Sequence, residues 1–503
     1  MTARQGPLVV VGDALLDRDV LGTARRLAPG TAAPVVEVAD ERLRPGGAAL
    51  AAVLAARHGR ETVLVTALGA AEDTEAGEAA EADADPGSAA VRRLLAERPR
   101  PVRVRALPLR GALAVKTRVL AGNVPVVRMD LGDGAPQAPD EPTARELAEL
   151  FEGAGAVLVA DYGRGTVRQL RELLARAASR HTPVLWDPHP RGATPVPGCR
   201  LVTPDRAEAA TLAEGLRAAD APRGDGLRAV AADAAALLRT WQAAAAAVTL
   251  GERGALLLRG PESPMLVPSH LRVPGGDACG AGDAFAAAAA AGLADGDLVE
   301  EAVQRGVEAA GAYVAAGGAA SWDADAPARA GGRPGASGSA ASAAGETPHD
   351  PADALALAEA VRARGGTVVA AGGCFDILHA GHVALLEDAR RIGDCLVVCL
   401  NSDASARRLK GAGRPVNPVA DRVRVLRGLG CVDAVAVFDE DTPVPLLRRL
   451  RPDVWVKGGD YLDRELPEAE VLAGWGGQAV MLPYLQGRST TAIARRAGSG
   501  SRR

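Results

Sequence analysis

Two histidines stand three residues apart in the stretch GGCFDILHAGH, residues 372–382, which begins with a pair of glycines. Imidazoles at this spacing could bind a metal, pack in the core or hold a polyphosphate. A zinc site is disfavoured because no histidine follows His382 and the nearby cysteines occur in apolar or loop segments. His379 and His382 lie where a predicted strand, TVVAAGG, passes into a predicted helix, VALLEDARR. The sequence therefore favours a phosphate site of two imidazoles and helix N-terminal amides, with packed histidines as the alternative.

A second candidate site is GGDACGAGDAFAAA, residues 275–288, a glycine-rich turn that opens directly into a predicted helix. Backbone amides at Gly280, Ala281 and Gly282 can approach an anion closely, and the helix dipole adds a favourable field. Asp283 follows immediately, where it can accept a proton from an attacking hydroxyl. The alternative is that Asp283 only caps the helix, since a glycine motif this short is a weak indication by itself.

Lysine is rare in this chain, because only three of the 58 basic residues are lysines, namely Lys116, Lys410 and Lys457. A compact ammonium on a flexible stem differs from the planar guanidinium of arginine when a phosphate must be followed through a reaction. These three positions therefore indicate where phosphate chemistry is expected, although chance also leaves lysines in place. The six cysteines contain no CxxC pair, which is typical of a reducing compartment.

Short apolar runs alternate with helical patterns on both sides of a segment rich in Ala, Gly, Pro and Ser. This alternation predicts βαβ units and a largely parallel sheet in each half. The biased segment, residues 323–350, is predicted to be a flexible linker. We therefore expect a first α/β domain at residues 1–322 and a second, smaller one at residues 351–503, which agrees with a length of 503 residues.

The overall composition describes a globular protein, with 48% hydrophobic and 24% charged residues. A net charge of -4 gives no electrostatic footprint for nucleic acid or an anionic membrane, so small molecules are the expected partners. The first residues lack the apolar core of a signal peptide, and no later stretch is long enough to span a bilayer. These features predict a cytoplasmic protein, and a homo-oligomer is compatible with them.

The first half resembles the ribokinase-like sugar kinases, most closely the heptose 7-phosphate kinases. The segments VVGDALLDRDVLG, RPGGAAL, KTRVL, RMD, TPDRAE and DACGAGD carry the resemblance, in order, across the first domain. It implies a doubly wound sheet with a small β lid, the cofactors ATP and Mg²⁺, Asp283 as catalytic base and the amides of residues 280–282 as an anion site. The other implied contacts are the sugar at Asp13, Asp17, Gly46 and Gly47, ATP with magnesium at Asp205 and Glu208, and the sugar's own phosphate at Lys116, Arg118 and Arg128.

Three positions depart from the pattern of that family. Leu50 replaces the asparagine of GGAAN, Asp205 replaces the asparagine of TPN, and His189 replaces a lysine expected after Asp187-Pro188. Leucine cannot make the hydrogen bond of an amide, so a kinase for a different sugar phosphate stays open, as does loss of kinase activity. For Arg118 and Arg128 the alternative is a solvated charge at a strand edge.

The second half resembles the HxGH nucleotidyltransferases, most closely the heptose 1-phosphate adenylyltransferases, over residues 367–496. The segments GCFDILHAGH, NSDASARRLKG, RPVNPVADR, VKGGDY and GRSTTAI carry it. It implies a Rossmann-like domain in which the sugar 1-phosphate attacks the α-phosphate of ATP in line and pyrophosphate leaves. The implied catalytic residues are His379, His382 and Lys410. The implied nucleotide contacts are Cys374, Phe375, Asp376, Lys457, Asp460, Arg488, Ser489 and Thr490, and Arg422 is an implied substrate contact.

The two modules in this order resemble the bifunctional heptose 7-phosphate kinase / heptose 1-phosphate adenylyltransferase family of ADP-heptose synthesis. In that family a separate phosphatase acts between the two steps. The resemblance therefore implies two active sites with sugar phosphates and ATP as partners, and it assigns no metal ligands. Two alternatives remain: an enzyme in which only the nucleotidyltransferase is active, and a protein that binds nucleotides without turnover.

Overall fold

The computed structural model describes residues 6–69, 85–122, 124–218, 221–224, 226–260, 264–271, 273, 276–322, 351–411, 413–458 and 466–483. These residues form two compact units, the first mainly before residue 323 and the second mainly after residue 350. The second unit also takes in Ala218–Ala232 and Arg253–Pro268. The predicted linker, residues 323–350, lies outside the described residues.

Strands and helices alternate along the first part of the chain, as the apolar runs predict. The strands are β1 (Leu8–Gly12), β2 (Ala14–Leu27), β3 (Pro34–Gly47), β4 (Thr62–Leu68), β5 (Arg103–Arg110), β6 (Val115–Ala121), β7 (Val124–Leu131), β8 (Ala135–Pro136), β9 (Ala156–Ala160), β10 (Val184–Asp187), β11 (Leu201–Val202), β12 (Ala246–Thr249), β13 (Ala255–Leu258) and β14 (Met265–Val267). The helices are α1 (Ala48–Ala56), α2 (Pro86–Ala96), α3 (Glu141–Gly153), α4 (Thr166–Ser179), α5 (Arg206–Leu212), α6 (Leu227–Trp241), α7 (Ala281–Asp295) and α8 (Val299–Ala315).

The first unit is built on a sheet with the strand order β12-β11-β10-β9-β1-β4-β5-β8. Strand β1 pairs in parallel with both β4 and β9, so the chain order reverses beside it. Strands β1, β4 and β9 are buried along their whole length, which indicates that both faces of the sheet are covered. Ligands of open α/β sheets bind where the order reverses, and here that point is the end of β1.

A separate four-stranded sheet has the order β3-β2-β6-β7 and corresponds to the predicted lid. Strands β2 and β3 are antiparallel, β2 and β6 are parallel, and β6 and β7 are antiparallel. Every residue of β7 is exposed, whereas the start of β2 and the end of β3 are buried. The buried ends of β2 and β3 therefore bring their polar residues toward the end of β1.

The second unit contains a five-stranded parallel sheet in the order β17-β16-β15-β18-β19. Its strands are β15 (Val368–Gly373), β16 (Cys395–Asn401), β17 (Ala434–Phe438), β18 (Val454–Gly458) and β19 (Gln478–Leu482). Its helices are α9 (Pro351–Ala363), α10 (Ala380–Ile392), α11 (Asp403–Lys410), α12 (Val419–Arg427), α13 (Val444–Leu450) and α14 (Glu468–Ala473). The strand order reverses at β15, so the histidine-containing loop that follows β15 lies where a ligand is expected. No described helix combines the length and the apolar character needed to cross a membrane.

Candidate active sites

Asp283 lies in the first turn of α7, directly after the Gly280 turn, which we define as residues 277–282. Gly280 precedes the helix with a φ of 85°, in the left-handed region that favours glycine. Instead of capping the helix, the Asp283 carboxylate accepts the single O–H of Tyr162, whose oxygen lies 2.8 and 2.9 Å from the two carboxylate oxygens. Burial raises the pKa of Asp283 to about 7, although the Tyr162 hydrogen bond opposes the rise. A carboxylate with this pKa can accept a proton near neutral pH.

The loop after β9 connects Tyr162 to the end of β1. Asp13 accepts hydrogen bonds from the backbone amides of Tyr162, Arg164 and Thr166, at 3.2, 2.8 and 2.9 Å. Its carboxylate therefore fixes the loop that presents Tyr162 to Asp283. Contact between Asp13 and a sugar stays a prediction, and the structure adds this positioning role.

Asp17 and the two glycines Gly46 and Gly47 lie together where β2 and β3 meet the rest of the site. A Cβ atom on Gly46 would lie 2.9 Å from the carboxylate carbon of Asp17, and one on Gly47 would lie 2.5 Å from the Asp13 carbonyl oxygen. Side chains at either glycine would therefore displace these acids. Burial raises the pKa of Asp17, against the opposing charge of Arg44.

Arg118 is held by a carboxylate that the sequence reading missed. Its Nε and Nη2 atoms donate to Asp19 at 2.8 and 3.0 Å, and Arg44 also donates to Asp19. Burial alone favours neutral Asp19, but the bonds from the two arginines lower its pKa. The Arg118 guanidinium therefore already pairs with a protein acid, and its contact with phosphate stays a prediction.

Lys116 and Arg128 differ although both were predicted to hold the sugar's phosphate. The Lys116 ammonium lies 5.4 Å from the centre of the Tyr162 ring, and it has no hydrogen bond or ion pair with any residue that the structure describes. Burial lowers its pKa, against the opposing charge of Asp17. Arg128, in contrast, is 57% exposed and pairs with Asp130 at 2.7 Å. Arg128 thus fits the alternative of a solvated strand-edge charge.

Asp205 and Glu208 cap α5 together. The Asp205 carboxylate accepts from the Glu208 amide at 2.7 Å, and the Glu208 carboxylate accepts from the Asp205 amide at 2.9 Å. Burial raises the pKa of Glu208 to about 7. Burial, followed by the charges of Glu208 and Asp283, also holds the pKa of Asp187 well above its usual range. Asp187 is therefore close enough to Glu208 and Asp283 for their charges to raise its pKa, and it joins the acidic residues predicted from the sequence.

The paired histidines lie at the start of α10, as predicted. His379 precedes the first residue of the helix, and its ring stacks on that of His382 with centroids 3.9 Å apart. Phe375, which has a φ of 41°, packs edge-on against His382 at 5.3 Å. The Nδ1 atom of His382 has no hydrogen-bond partner among the described residues.

The pKa of His382 does not favour the cationic imidazole that the sequence predicts at this position. Burial, then the charges of His379 and Lys410, lower its pKa to about 4. His382 is therefore an uncharged hydrogen-bonding group at neutral pH. The positive charge near the histidines comes instead from Lys410 at the end of α11 and from the helix terminus.

Asp376 and Arg422 were predicted to contact nucleotide and substrate, and the structure places both in internal bonds. Asp376 accepts from Arg414 at 2.7 Å and from the amides of Val416 and Asn417 at 2.7 and 3.0 Å. Against the effect of burial, these bonds lower the pKa of Asp376.

Arg422 is only 2% exposed and bonds the carbonyl oxygens of Cys374, Asn401 and Asn417. Its remaining terminal nitrogen donates to Asp403 at 2.8 Å. These side chains therefore hold loops around the site together, and their contacts with nucleotide and substrate stay predictions.

The remaining predicted nucleotide contacts vary in their surroundings. Cys374 is buried, with its sulfur 3.5 Å from the Asn401 side-chain oxygen, and burial raises its pKa. This agrees with a packing role rather than a nucleophile. Lys457 donates to the buried acid Glu468 at 2.7 Å, so its charge is already matched. The other predicted contacts, Asp460, Arg488, Ser489 and Thr490, lie outside the described residues.

Several residues near these sites were not predicted from the sequence. Asp19 could have been, since it lies two positions after Asp17 in a strand and therefore on the same face of the sheet. Tyr162 had only its position after an apolar strand. Arg44 begins the RPGGAAL segment, but its pairing with Asp19 could not be predicted, and neither could the pairing of Glu468 with Lys457.

Family models match both parts of the chain. A model of the pfkB family carbohydrate kinases matches residues 130–326, and a cytidylyltransferase-like model matches residues 370–496. The chain is 57% identical over 496 residues to the bifunctional protein HldE of Streptomyces coelicolor, a match that covers 99% of this chain and 97% of that protein. The chain belongs to the HldE family. The HldE protein of Ectopseudomonas mendocina is 36% identical over 490 residues, a match that covers 97% of this chain and 97% of that protein.

Membership of the HldE family confirms the bifunctional family that was recognised in the sequence. It also confirms the fold class, a ribokinase-like kinase followed by a cytidylyltransferase-like Rossmann-type domain. The chain is therefore an enzyme with a kinase and a nucleotidyltransferase domain. The roles of individual residues, and of Mg²⁺, stay predictions.

Proposed function

We propose that this chain carries out two ATP-dependent steps of ADP-heptose synthesis. The first domain phosphorylates D-glycero-D-manno-heptose 7-phosphate at O1, and the second joins the adenylyl group of ATP to heptose 1-phosphate with release of pyrophosphate. The observation that carries the kinase assignment is the buried Asp283 carboxylate, with a pKa of about 7, at the start of α7. The observation that carries the second assignment is the stacked histidine pair at the start of α10.

In the kinase step, Asp283 accepts the proton of the O1 hydroxyl as the oxygen attacks the γ-phosphorus of ATP, and ADP leaves. Tyr162 bonds both carboxylate oxygens and so fixes the base in one orientation. In the described part of the chain, the amides of Gly282 and Asp283 have no acceptor. These amides are suited to stabilise the transferred phosphoryl group.

The acids Asp187 and Glu208 fit a role in holding Mg²⁺ with the nucleotide. No set of three or more His, Cys, Asp or Glu side chains among the described residues is arranged to hold a metal. Mg²⁺ commonly takes only one or two carboxylates, however, together with phosphates and water. Burial raises the pKa of both acids, the charge of Glu208 adds to the rise at Asp187 and that of Asp205 to the rise at Glu208, and a bound cation would offset this repulsion. When bound, Mg²⁺ neutralises charge on the phosphates of the nucleotide.

In the adenylyl transfer, the attacking atom is a phosphate oxygen of the sugar 1-phosphate. It is already anionic, so the site needs positioning and charge neutralisation rather than a base. His379 and the uncharged His382 would bind phosphate oxygens, and Lys410 would balance the charge that the two phosphate groups bring together. No covalent intermediate with the protein is required.

The test supplies each substrate separately to the full chain with ATP and Mg²⁺, because a phosphatase is expected between the two steps. Mass spectrometry should show ADP and heptose bisphosphate from heptose 7-phosphate, and ADP-heptose with pyrophosphate from heptose 1-phosphate. ADP release with only another sugar phosphate would redirect the kinase to that sugar. If no sugar phosphate in a panel of heptoses and hexoses yields ADP, the kinase half of the proposal fails.

A further inference from the structure

The side chain of Tyr313 presents a buried hydroxyl that nothing in the kinase mechanism uses so far. Tyr313 lies near the end of α8 and is 5% exposed. Its hydroxyl has no hydrogen-bond partner among the residues that the structure describes. Buried hydroxyls are normally paired, and an unpaired one destabilises the fold. The hydroxyl therefore has capacity for a bond that the described protein groups do not fill.

The position of this hydroxyl is set by the Gly280 turn. A Cβ atom on Gly280 would lie 2.7 Å from the Tyr313 hydroxyl oxygen and 2.9 Å from Cδ2 of Leu50. Tyr313 and Leu50 thus converge on the glycine that begins α7, three residues before the catalytic base. Leu50 offers no hydrogen bond, so Tyr313 supplies the polar group at this contact. A side chain at Gly280 would also collide with that group.

The surroundings of the hydroxyl suit an anionic ligand. Burial, followed by the charge of Asp283, raises the pKa of Tyr313, so the group stays a protonated donor. The nearby amides of Gly282 and Asp283 likewise have no acceptor in the described chain. A neutral O–H donor at Gly280, together with two N–H groups in the first turn of the helix that Gly280 begins, is a set of groups that binds phosphate oxygens.

We propose that Tyr313 is a further catalytic residue of the kinase and donates a hydrogen bond to an oxygen of the phosphoryl group in transfer. The proposal rests on the proposed kinase function. The tyrosine keeps its proton throughout, and the proton of the attacking hydroxyl goes to Asp283. A phosphate oxygen could come from ATP or from the phosphate already on the sugar, and the two sources differ in which kinetic constant they control.

The first experiment measures both activities of the full chain carrying Tyr313→Phe. We expect kinase kcat to fall about 10- to 100-fold, with the KM values for ATP and sugar phosphate changed less than about twofold. Adenylyl transfer in the same preparation should be unchanged. Unchanged kinase kcat would overturn the proposal. A rise in the KM for sugar phosphate alone would also overturn it, because the hydroxyl would then contact the sugar's own phosphate.

The second experiment separates this role from a structural one. Phenylalanine keeps the ring and removes only an unpaired hydroxyl, so Tm should stay the same or rise. The matched control is Thr182→Val, which removes a buried hydroxyl that donates to the Glu152 carbonyl at 3.3 Å and belongs to neither set of predicted site residues. This variant should have a lower Tm than the wild type and the same kinase activity. If Tyr313→Phe instead lowers Tm as much as the control does, its loss of activity is structural and the proposal fails.

Wild-type protein distinguishes this failure from failure of the proposed function. If the wild type releases no ADP with any sugar phosphate, the kinase function itself is rejected, and Tyr313 with it. If the wild type is active and Tyr313→Phe is equally active, only the role of Tyr313 is rejected.

Discussion

The two sites shift the pKa values of their central groups in opposite directions for the same reason. Burial raises the pKa of Asp283 to about 7 and lowers that of His382 to about 4, because each group is pushed toward its neutral form. The kinase site thereby gains a carboxylate that titrates near neutral pH, as its proposed role as a base requires. The nucleotidyltransferase site gains an uncharged imidazole that neither accepts nor releases a proton there.

This difference follows the chemistry of the two attacking groups. A sugar hydroxyl must lose a proton as it attacks, whereas a sugar 1-phosphate is already anionic. The first site therefore needs a tuned base, which Tyr162 holds in place, and the second needs only donors and positive charge. Two domains that both use ATP can thus be distinguished by whether their activity depends on a titrating group.

The largest effect is expected from removing the base. Asp283→Asn keeps the size of the side chain and the contact with Tyr162 but cannot accept the proton. Kinase kcat should fall roughly 10²- to 10⁴-fold, and adenylyl transfer should be unchanged. Separate assays of ADP and pyrophosphate release from one preparation check both results. Loss of both activities would mean that the variant disrupts the fold rather than the base.

The converse change is His379→Ala, which removes an imidazole from the start of α10. Adenylyl transfer should fall about 100-fold, because one hydrogen-bonding group to a transferring phosphate is lost. Kinase activity of the same variant serves as its internal control. Pyrophosphate release at the wild-type rate would contradict the phosphate role and favour the packed-histidine interpretation.

A smaller effect is expected on the pH dependence of the kinase. Tyr162→Phe removes the hydrogen bond that lowers the pKa of Asp283, so this pKa should rise above its value of about 7. The acidic limb of the kcat/KM profile should move upward by roughly half to one pH unit. Near pH 6 the variant should be several-fold less active than the wild type. At high pH the two proteins should have similar activity.

The adenylyl transfer profile provides the comparison for this variant. The rate of adenylyl transfer should not change near neutral pH through titration of His382, since the pKa of His382 is about 4. A kinase profile that stays in place or moves to lower pH would contradict the role of Tyr162. The contrast between a titrating kinase site and a non-titrating nucleotidyltransferase site would be contradicted if adenylyl transfer changed with pH near neutrality and this dependence disappeared in His382→Asn.

The sequence predicted the folds and the central residues because both are local. Alternating apolar runs predict the parallel sheets, and Asp283, His379 and His382 each lie at a junction where a loop enters a helix. The internal partners of charged residues could not be predicted, because they come from distant segments. Arg118 bonds Asp19, 99 residues away, and Arg422 bonds the Cys374 carbonyl, 48 residues away. Which acid or carbonyl meets an arginine is fixed only when the strands are aligned.

The smallest effect on activity is expected at Arg128, a residue that belongs to a sequence motif but lies on an exposed strand. Arg128 lies in the RMD segment, but its side chain is 57% exposed and paired with Asp130 on the same strand. Exposed pairs of this kind contribute about 0–1 kcal/mol. Arg128→Ala should therefore change the KM for sugar phosphate by less than about twofold and leave Tm nearly unchanged.

Lys116→Met is the matched comparison for Arg128→Ala, because both residues lie in the lid and both were predicted to hold the same phosphate. Lys116 has no hydrogen-bonded or ion-paired partner in the described chain, and it lies over the Tyr162 ring. Its loss should raise the KM for sugar phosphate about tenfold, since a charge-assisted bond to phosphate disappears. Equal effects of the two substitutions would show that exposure on β7 does not exclude a residue from the site, and that the lid changes position when substrate binds.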